Sequence, residues 1–133
     1  MRDLIAELEA LRAHSPSSEE KTWALFAHLG GLVLFVIAPL VVMLTEGTKS
    51  PWVRWQAVSA LNFQLTLFIV GVVSFVGSFL IGLIPVVGAI AGLAFICLPV
   101  VLGLGWLILT IIGGVKAYGG ALYEYPASFH LVK

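Results

Sequence analysis

Between Trp55 and Val115 the chain runs for 61 residues without a single Asp, Glu, Lys or Arg. A soluble domain carries a charged residue at about one position in four. About 20 apolar residues suffice to cross a hydrocarbon core of about 30 Å, so this stretch is long enough to cross more than once. A second uncharged run, Thr22–Thr45, precedes it. Composition agrees: 60% of the 133 residues are hydrophobic, 11% are charged, and mean hydropathy is +1.08. Eight of the 14 charged residues fall within residues 1–21. The reading is an all-α integral membrane helical bundle.

Formal net charge is zero, which leaves no basic patch for nucleic acid. The lone Cys97 sits in an apolar run, cannot close an intrachain disulfide and reads as packing. The mixed-charge N-terminus does not resemble a cleavable leader, so the first apolar run is expected to stay in the mature protein.

Leu4, Ile5, Leu8 and Leu11 share one face of a short helix, with Asp3, Glu7 and Glu9 around it. This amphipathic element rests on the membrane or a neighbouring loop, or docks a partner. With the break at His14–Ser18 it forms an N-terminal segment, 1–17, ahead of a membrane domain, 18–133. Ser17 and Glu20 fit a capping box, so the first membrane helix starts near Ser18. Its apolar part, 22–45, would be about 36 Å long and enough for one span. Pro39 is expected to kink it, and Gly30-Gly31 to admit a close neighbour. Ser50-Pro51 reads as an N-cap followed by proline at the first helical position. A second span then covers 57–81. The uncharged break Gly82–Gly88 is a tight interfacial turn or a re-entrant bend. A third span covers 89–117, where Pro99 and Gly103-Leu104-Gly105 invite a kink. Three transmembrane helices are expected; a fourth, partly inserted segment is the alternative. With three spans, Lys49, Arg54, Lys116 and Lys133 share one face and Arg2, Arg12 and Lys21 the other. That small bias leans towards a cytoplasmic loop and C-terminus.

Polar residues at membrane depth are the functional candidates. His28 lies in the first span; Asn62, Gln64 and Thr66 lie in the second; Thr110 lies in the third. Arg54 and Lys116 flank the spans on the side from which Asn62 enters, so these three are placed to meet. With three antiparallel spans His28 starts from the opposite face, and direct contact with Asn62 is not expected. Asn62 and Gln64 either bond between helices or line a pathway; two residues apart, they do not face one direction squarely. No carboxylate lies inside a span to partner His28, and the three histidines lack metal-ligand spacing. Neither catalytic residues nor cofactor or metal ligands are expected. Small pairs four residues apart (Ala27/Gly31, Ser74/Ser78, Gly88/Gly92, Gly113/Ala117) favour close packing and self-association. Trp23, Trp52, Trp55, Tyr118, Tyr123 and Tyr125 lie near span ends, as an aromatic belt would. Trp106 falls mid-span, either packed in the bundle or marking a break.

Three blocks carry a family resemblance. They are Thr22-Trp23-Ala24, Ala27-His28-Leu29 and Pro39-Leu40; then Ser50-Pro51, Val53-Arg54 and Ala60-Leu61-Asn62-Phe63-Gln64; then Lys116-Ala117, Gly119-Gly120 and Tyr125-Pro126. Together they resemble a bacterial family of small membrane proteins that is similar to the twenty-kilodalton Tic component of the chloroplast import machinery. The resemblance implies a multi-pass protein of the bacterial inner membrane, related to a translocon subunit. A non-enzymatic accessory or scaffold subunit is the first functional expectation, with the lipid bilayer, other membrane proteins or further copies of itself as partners. A small oligomeric channel or transporter is the alternative.

Overall fold

A computed structural model describes residues 2–133. The elements are α1 (Arg2–Ala13), α2 (Ser18–Leu29), α3 (Gly31–Leu34), α4 (Ile37–Leu44), a 3-10 turn (Glu46–Thr48), α5 (Pro51–Gly82) and α6 (Pro85–Tyr118). No strand occurs among the described residues. The start signals in the sequence act as expected. The Ser17 hydroxyl accepts from the Glu20 N–H, and the Glu20 carboxylate accepts from the Ser17 N–H. Ser50 caps α5 by accepting from the Val53 N–H, with Pro51 at the first helical position.

The first apolar stretch is not a single span. α2 ends at Gly30, α3 adds one turn, and the chain reverses at Phe35 (φ 51°, ψ −120°) before α4. The backbone of Phe35 and Val36 has the angles of a type II′ turn, with Phe35 where glycine is usual. α4 then packs back along α2. A Cβ on Gly30 would lie only 2.7 Å from the Ala38 Cβ, so the two arms touch near the bend. At the open end, the Ser50 hydroxyl donates to Glu20 at 2.8 Å. The start of α2 and the start of α5 therefore lie side by side. Pro39, expected to kink a long helix, sits in the first turn of α4, where a missing N–H costs little. Thus 22–45 folds as a short hairpin that returns to the end from which it started.

Among the described residues, only α5 (32 residues) and α6 (34 residues) are long and apolar enough to cross a membrane. At 1.5 Å per residue they measure about 48 and 51 Å. They start earlier than the expected 57–81 and 89–117, and their connection is the two-residue turn Leu83-Ile84. Pro99 lies inside α6, which continues through it.

Packing is concentrated at one end. The buried residues of α5 all lie between Trp52 and Thr66, and those of α6 between Thr110 and Ala117. There α2 and α4 pack on α5, and α2 also packs on α6. Ala24, Ala27, Val42, Trp52, Val53 and Ala57 form the core. Beyond this end α5 and α6 have only each other, and Val73, Phe75, Phe79, Ile90, Leu93 and Ile96 are all more than 60% exposed. An apolar surface of this extent has no place in water.

Charge follows the same division. Lys21 and Pro16 lie beside Gly120 at the end of α6, Arg54 bonds to Lys133, and Arg12 shares a small pocket with Trp55 and Glu124. Lys21 and Arg12 therefore join Lys49, Arg54, Lys116 and Lys133 at one end, which corrects the expected four-against-three division. The cause is the doubled-back hairpin. The opposite turn, Leu83-Ile84, has no charged residue nearer in sequence than Arg54 and Lys116.

Candidate functional site: a buried polar layer that holds the C-terminal tail

After Tyr118 the chain leaves helix geometry and packs against α5 as an irregular tail. Irregular backbone exposes N–H and C=O groups that lipid does not satisfy; at membrane depth it persists only where protein supplies the partners. α5 supplies them from one face. Gln56, Ser59, Asn62 and Thr66 follow at intervals of three, three and four, the spacing of neighbours on a helix surface. Gln56 Nε2 donates to the Ala121 carbonyl at 2.7 Å, and the Ser59 hydroxyl donates to the Tyr123 carbonyl at 2.8 Å. Thr66 Oγ1 accepts from the Phe129 N–H at 2.8 Å. Asn62 makes a two-way clamp: Nδ2 donates to the Val132 carbonyl at 3.0 Å, and Oδ1 accepts from the Val132 N–H at 2.7 Å. Arg54 Nη2 closes the series on the Lys133 carbonyl. The tail thus runs along α5 as far as Thr66 and returns, turning where Pro126 precedes Ala127 (φ 57°).

His28 lies at the centre, with no accessible surface. Its Nε2 is 3.0 Å from Gln56 Oε1 and its Nδ1 is 2.7 Å from the Tyr125 hydroxyl. The network fixes the proton positions. Gln56 uses its amide N–H on Ala121, so its Oε1 is an acceptor and His28 Nε2 must carry the hydrogen. Nδ1 is then free to accept from Tyr125. A neutral imidazole satisfies both bonds. The Tyr125 ring stacks on Phe63 at 4.0 Å and meets Tyr123 edge-on at 4.9 Å. A Cβ on Gly113 would come within 2.6 Å of the Tyr125 oxygen, so α6 offers this ring a flat seat only because residue 113 is glycine.

The sequence candidates are dispersed within this arrangement. Asn62 clamps the tail; Gln64 lies off the stripe and accepts from Trp106 Nε1 at 2.9 Å. That bond explains the mid-span tryptophan, which packs in the bundle without breaking α6. Lys116 stands over the Tyr123 ring at 5.7 Å. Arg54 does not meet Asn62 or Lys116 directly; each holds the tail at a different point. His28 shares their end of the molecule, because its helix doubles back. Its partners Gln56 and Tyr125 were absent from the sequence candidates. The signal for Gln56 and Ser59 is the polar stripe itself, while nothing local marks Tyr125.

Outside this layer, partial burial pushes the Glu20 carboxyl up. Hydrogen bonds from His14, the Ser17 N–H and the Ser50 hydroxyl outweigh that and hold its pKa below the usual 4.5. The ionised carboxylate therefore latches the base of the hairpin. An open groove of about 520 Å³ lies between the bare halves of α5 and α6, bounded by Phe35, Leu67, Phe75, Pro99 and Trp106. Its walls are almost wholly apolar. No group of three or more His, Cys, Asp or Glu residues suited to a metal ion occurs among the described residues.

Two long bare apolar helices on a one-ended polar base define a small helical membrane protein. The chain belongs to the magnetosome magnetite crystal formation protein family, MamF/MmsF, which it matches over residues 19–132. This match overturns the Tic-twenty-like resemblance. The blocks that suggested it lie within the matched residues, and they are the α2 start, the α5 polar stripe and the tail anchors. In this chain those residues cap helices, pack the core and anchor the tail. Comparison with curated proteins and with solved structures returns no match.

Proposed function

We propose that this chain is a non-enzymatic organising component of the membrane in which magnetite crystals form. α5 and α6 cross the bilayer, and the α2–α4 hairpin and the tail sit in one leaflet. The six clustered cations mark their end as cytoplasmic, since Lys and Arg near span ends stay on that side. One observation carries the reading. The polar side chains at depth, His28, Gln56, Ser59, Asn62, Gln64 and Thr66, are spent on the chain's own tail and on Trp106. Of the other polar side chains at depth, Thr110 is buried in the packed end and Ser78 donates to the Ser74 carbonyl; both serines edge the groove between α5 and α6, whose walls are otherwise almost wholly apolar, so no continuous polar path runs between the helices. The structure therefore favours a scaffold over the channel or transporter alternative. Its partners are lipid and other proteins of the same membrane.

The test is deletion of the gene in a magnetite-forming bacterium, with iron flux measured in liposomes that hold the purified chain. A scaffold changes the size or number of crystals and gives no flux above empty liposomes. Iron or proton flux that is abolished by Asn62→Leu would establish transport instead.

A further inference from the structure

The chain is far wider at one end than at the other. At the charged end four helices lie side by side, α2, α4, α5 and α6, with the tail among them. At the far end only α5 and α6 remain. α2 has 12 residues and α4 has 8. They extend about 18 and 12 Å, roughly half of a hydrocarbon core of about 30 Å. If α5 and α6 cross as proposed above, the extra helices occupy one leaflet only. A helix with side chains is about 10 Å across and covers about 80 Å², so α2 and α4 alone add roughly 160 Å² to that leaflet. The outer face of α4 is apolar, with Leu40, Val41 and Leu44 exposed; on α2 Phe26 is exposed on the side of the bend, after the polar Ser18, Glu19 and Thr22 of its outer first turns, so the hairpin enters the acyl chains from the headgroup region with its bend deepest. α1 adds to the same side. Leu11 is buried in the core while Leu4 and Ile5, on the same apolar stripe, are more than half exposed. A helix of that pattern rests in the headgroup boundary and widens the leaflet it enters.

We infer that the chain acts as a membrane wedge: it partitions to bilayers that are convex on its charged face. The partner is the lipid surface itself. With the cations on the cytoplasmic side, the favoured surface is the outer leaflet of a small vesicle enclosed by cytoplasm. The inference rests on the two-crossing reading and adds a shape preference to it.

The full chain, labelled at its N-terminus and purified in detergent, is reconstituted into phosphatidylcholine–phosphatidylglycerol vesicles of mixed size. Protein per membrane area is then read vesicle by vesicle. Density on vesicles about 50 nm across should clearly exceed that on vesicles about 400 nm across, because interfacial insertion of this kind is curvature-sensitive. Trypsin added outside the small vesicles should cleave at the N-terminal Arg and Lys residues. Equal density at all sizes, with the chain resistant to carbonate extraction, overturns the wedge and leaves the crossing intact. Enrichment with the charged end inside the small vesicles overturns it equally. A chain that carbonate removes overturns the crossing itself.

Discussion

The buried imidazole of His28 makes two hydrogen bonds and has no accessible surface, so its removal is the most informative single change. Leucine fills a similar volume, and His28→Leu therefore leaves little cavity. It does leave the Tyr125 hydroxyl and Gln56 Oε1 without partners. A buried polar group stranded in this way costs about 1–3 kcal/mol, so the two together cost about 2–6 kcal/mol. Tyr125→Phe removes the donor but strands only His28 Nδ1, at about 1–3 kcal/mol. In the double variant neither the tyrosine hydroxyl nor His28 Nδ1 remains to be stranded, so the costs should fall short of additivity by those two group costs, about 2–6 kcal/mol on the same scale. Reversible unfolding in mixed detergent micelles, followed by far-UV circular dichroism, measures all four corners. Hydrogen exchange adds a local readout: amides of 121–133 should lose protection in His28→Leu before those of α5 do. If His28→Leu costs less than about 0.5 kcal/mol, or if the two variants add within error, the bonds do not hold the tail and the site description is wrong.

Four other outcomes follow from the same geometry. Asn62→Leu removes both bonds to Val132 and should cost about 1–2 kcal/mol, using the average of about 0.6 kcal/mol per hydrogen bond within membrane proteins; limited proteolysis should show the last residues cut earlier than in wild type. Gly113→Ala places a methyl against the Tyr125 hydroxyl and should destabilise by about 1–3 kcal/mol, whereas Gly103→Ala, with open space around it, should be neutral or slightly stabilising; thermal unfolding in detergent separates the two. The folded-state pKa of Glu20 lies below 4.5, so its ionised form contributes stability above that pH, and the contribution disappears as pH falls through the folded-state value; Glu20→Gln should flatten that part of the stability–pH curve by about 1 kcal/mol or less, given its partial exposure. In a Cys97→Ser background, an impermeant maleimide should label Ser17→Cys and Thr48→Cys from the same side of the membrane and Ile84→Cys from the other; labelling of Ser17→Cys and Thr48→Cys from opposite sides would restore the three-span arrangement.

Element starts were legible because each rests on a few adjacent residues. The Ser17–Glu20 box and the Ser50-Pro51 cap are local chemistry, and both lie where their spacing placed them. The membrane character was legible too, since a charge-free run of 61 residues admits few other outcomes. The first apolar stretch was not. Its length fits a span, and length is the quantity hydropathy reports. What turns it back is tertiary: the Glu20–Ser50 latch joins residues thirty apart, and the bend places Phe35 in a conformation no local preference favours. Family identity is not legible in these blocks for a related reason. The residues that carry the resemblance are those that cap, pack and anchor, and such roles do not by themselves tell one family of helical bundles from another.

The polar stripe shows what a sequence of this kind does encode and how it is overlooked. Asn62 and Gln64 were singled out because polar groups at depth are scarce, but depth alone does not reveal a partner. The interval from Gln56 through Ser59 and Asn62 to Thr66 does more, because it puts four hydrogen-bonding side chains on one helix face. A single α-helix satisfies its own backbone and has no need of such a face; irregular chain packed beside it does. The obvious supplier is the long stretch outside the helices, Ala121–Lys133, which has no glycine and only two charged residues, Glu124 and Lys133. Depth, stripe and tail together imply the clamp that Asn62 makes on Val132. They also explain why the polar layer stops at Thr66. Beyond the reach of the tail, α5 has nothing left to hydrogen-bond, and from there to Gly82 its only polar side chains are Ser74 and Ser78, the latter donating to the Ser74 carbonyl one turn back.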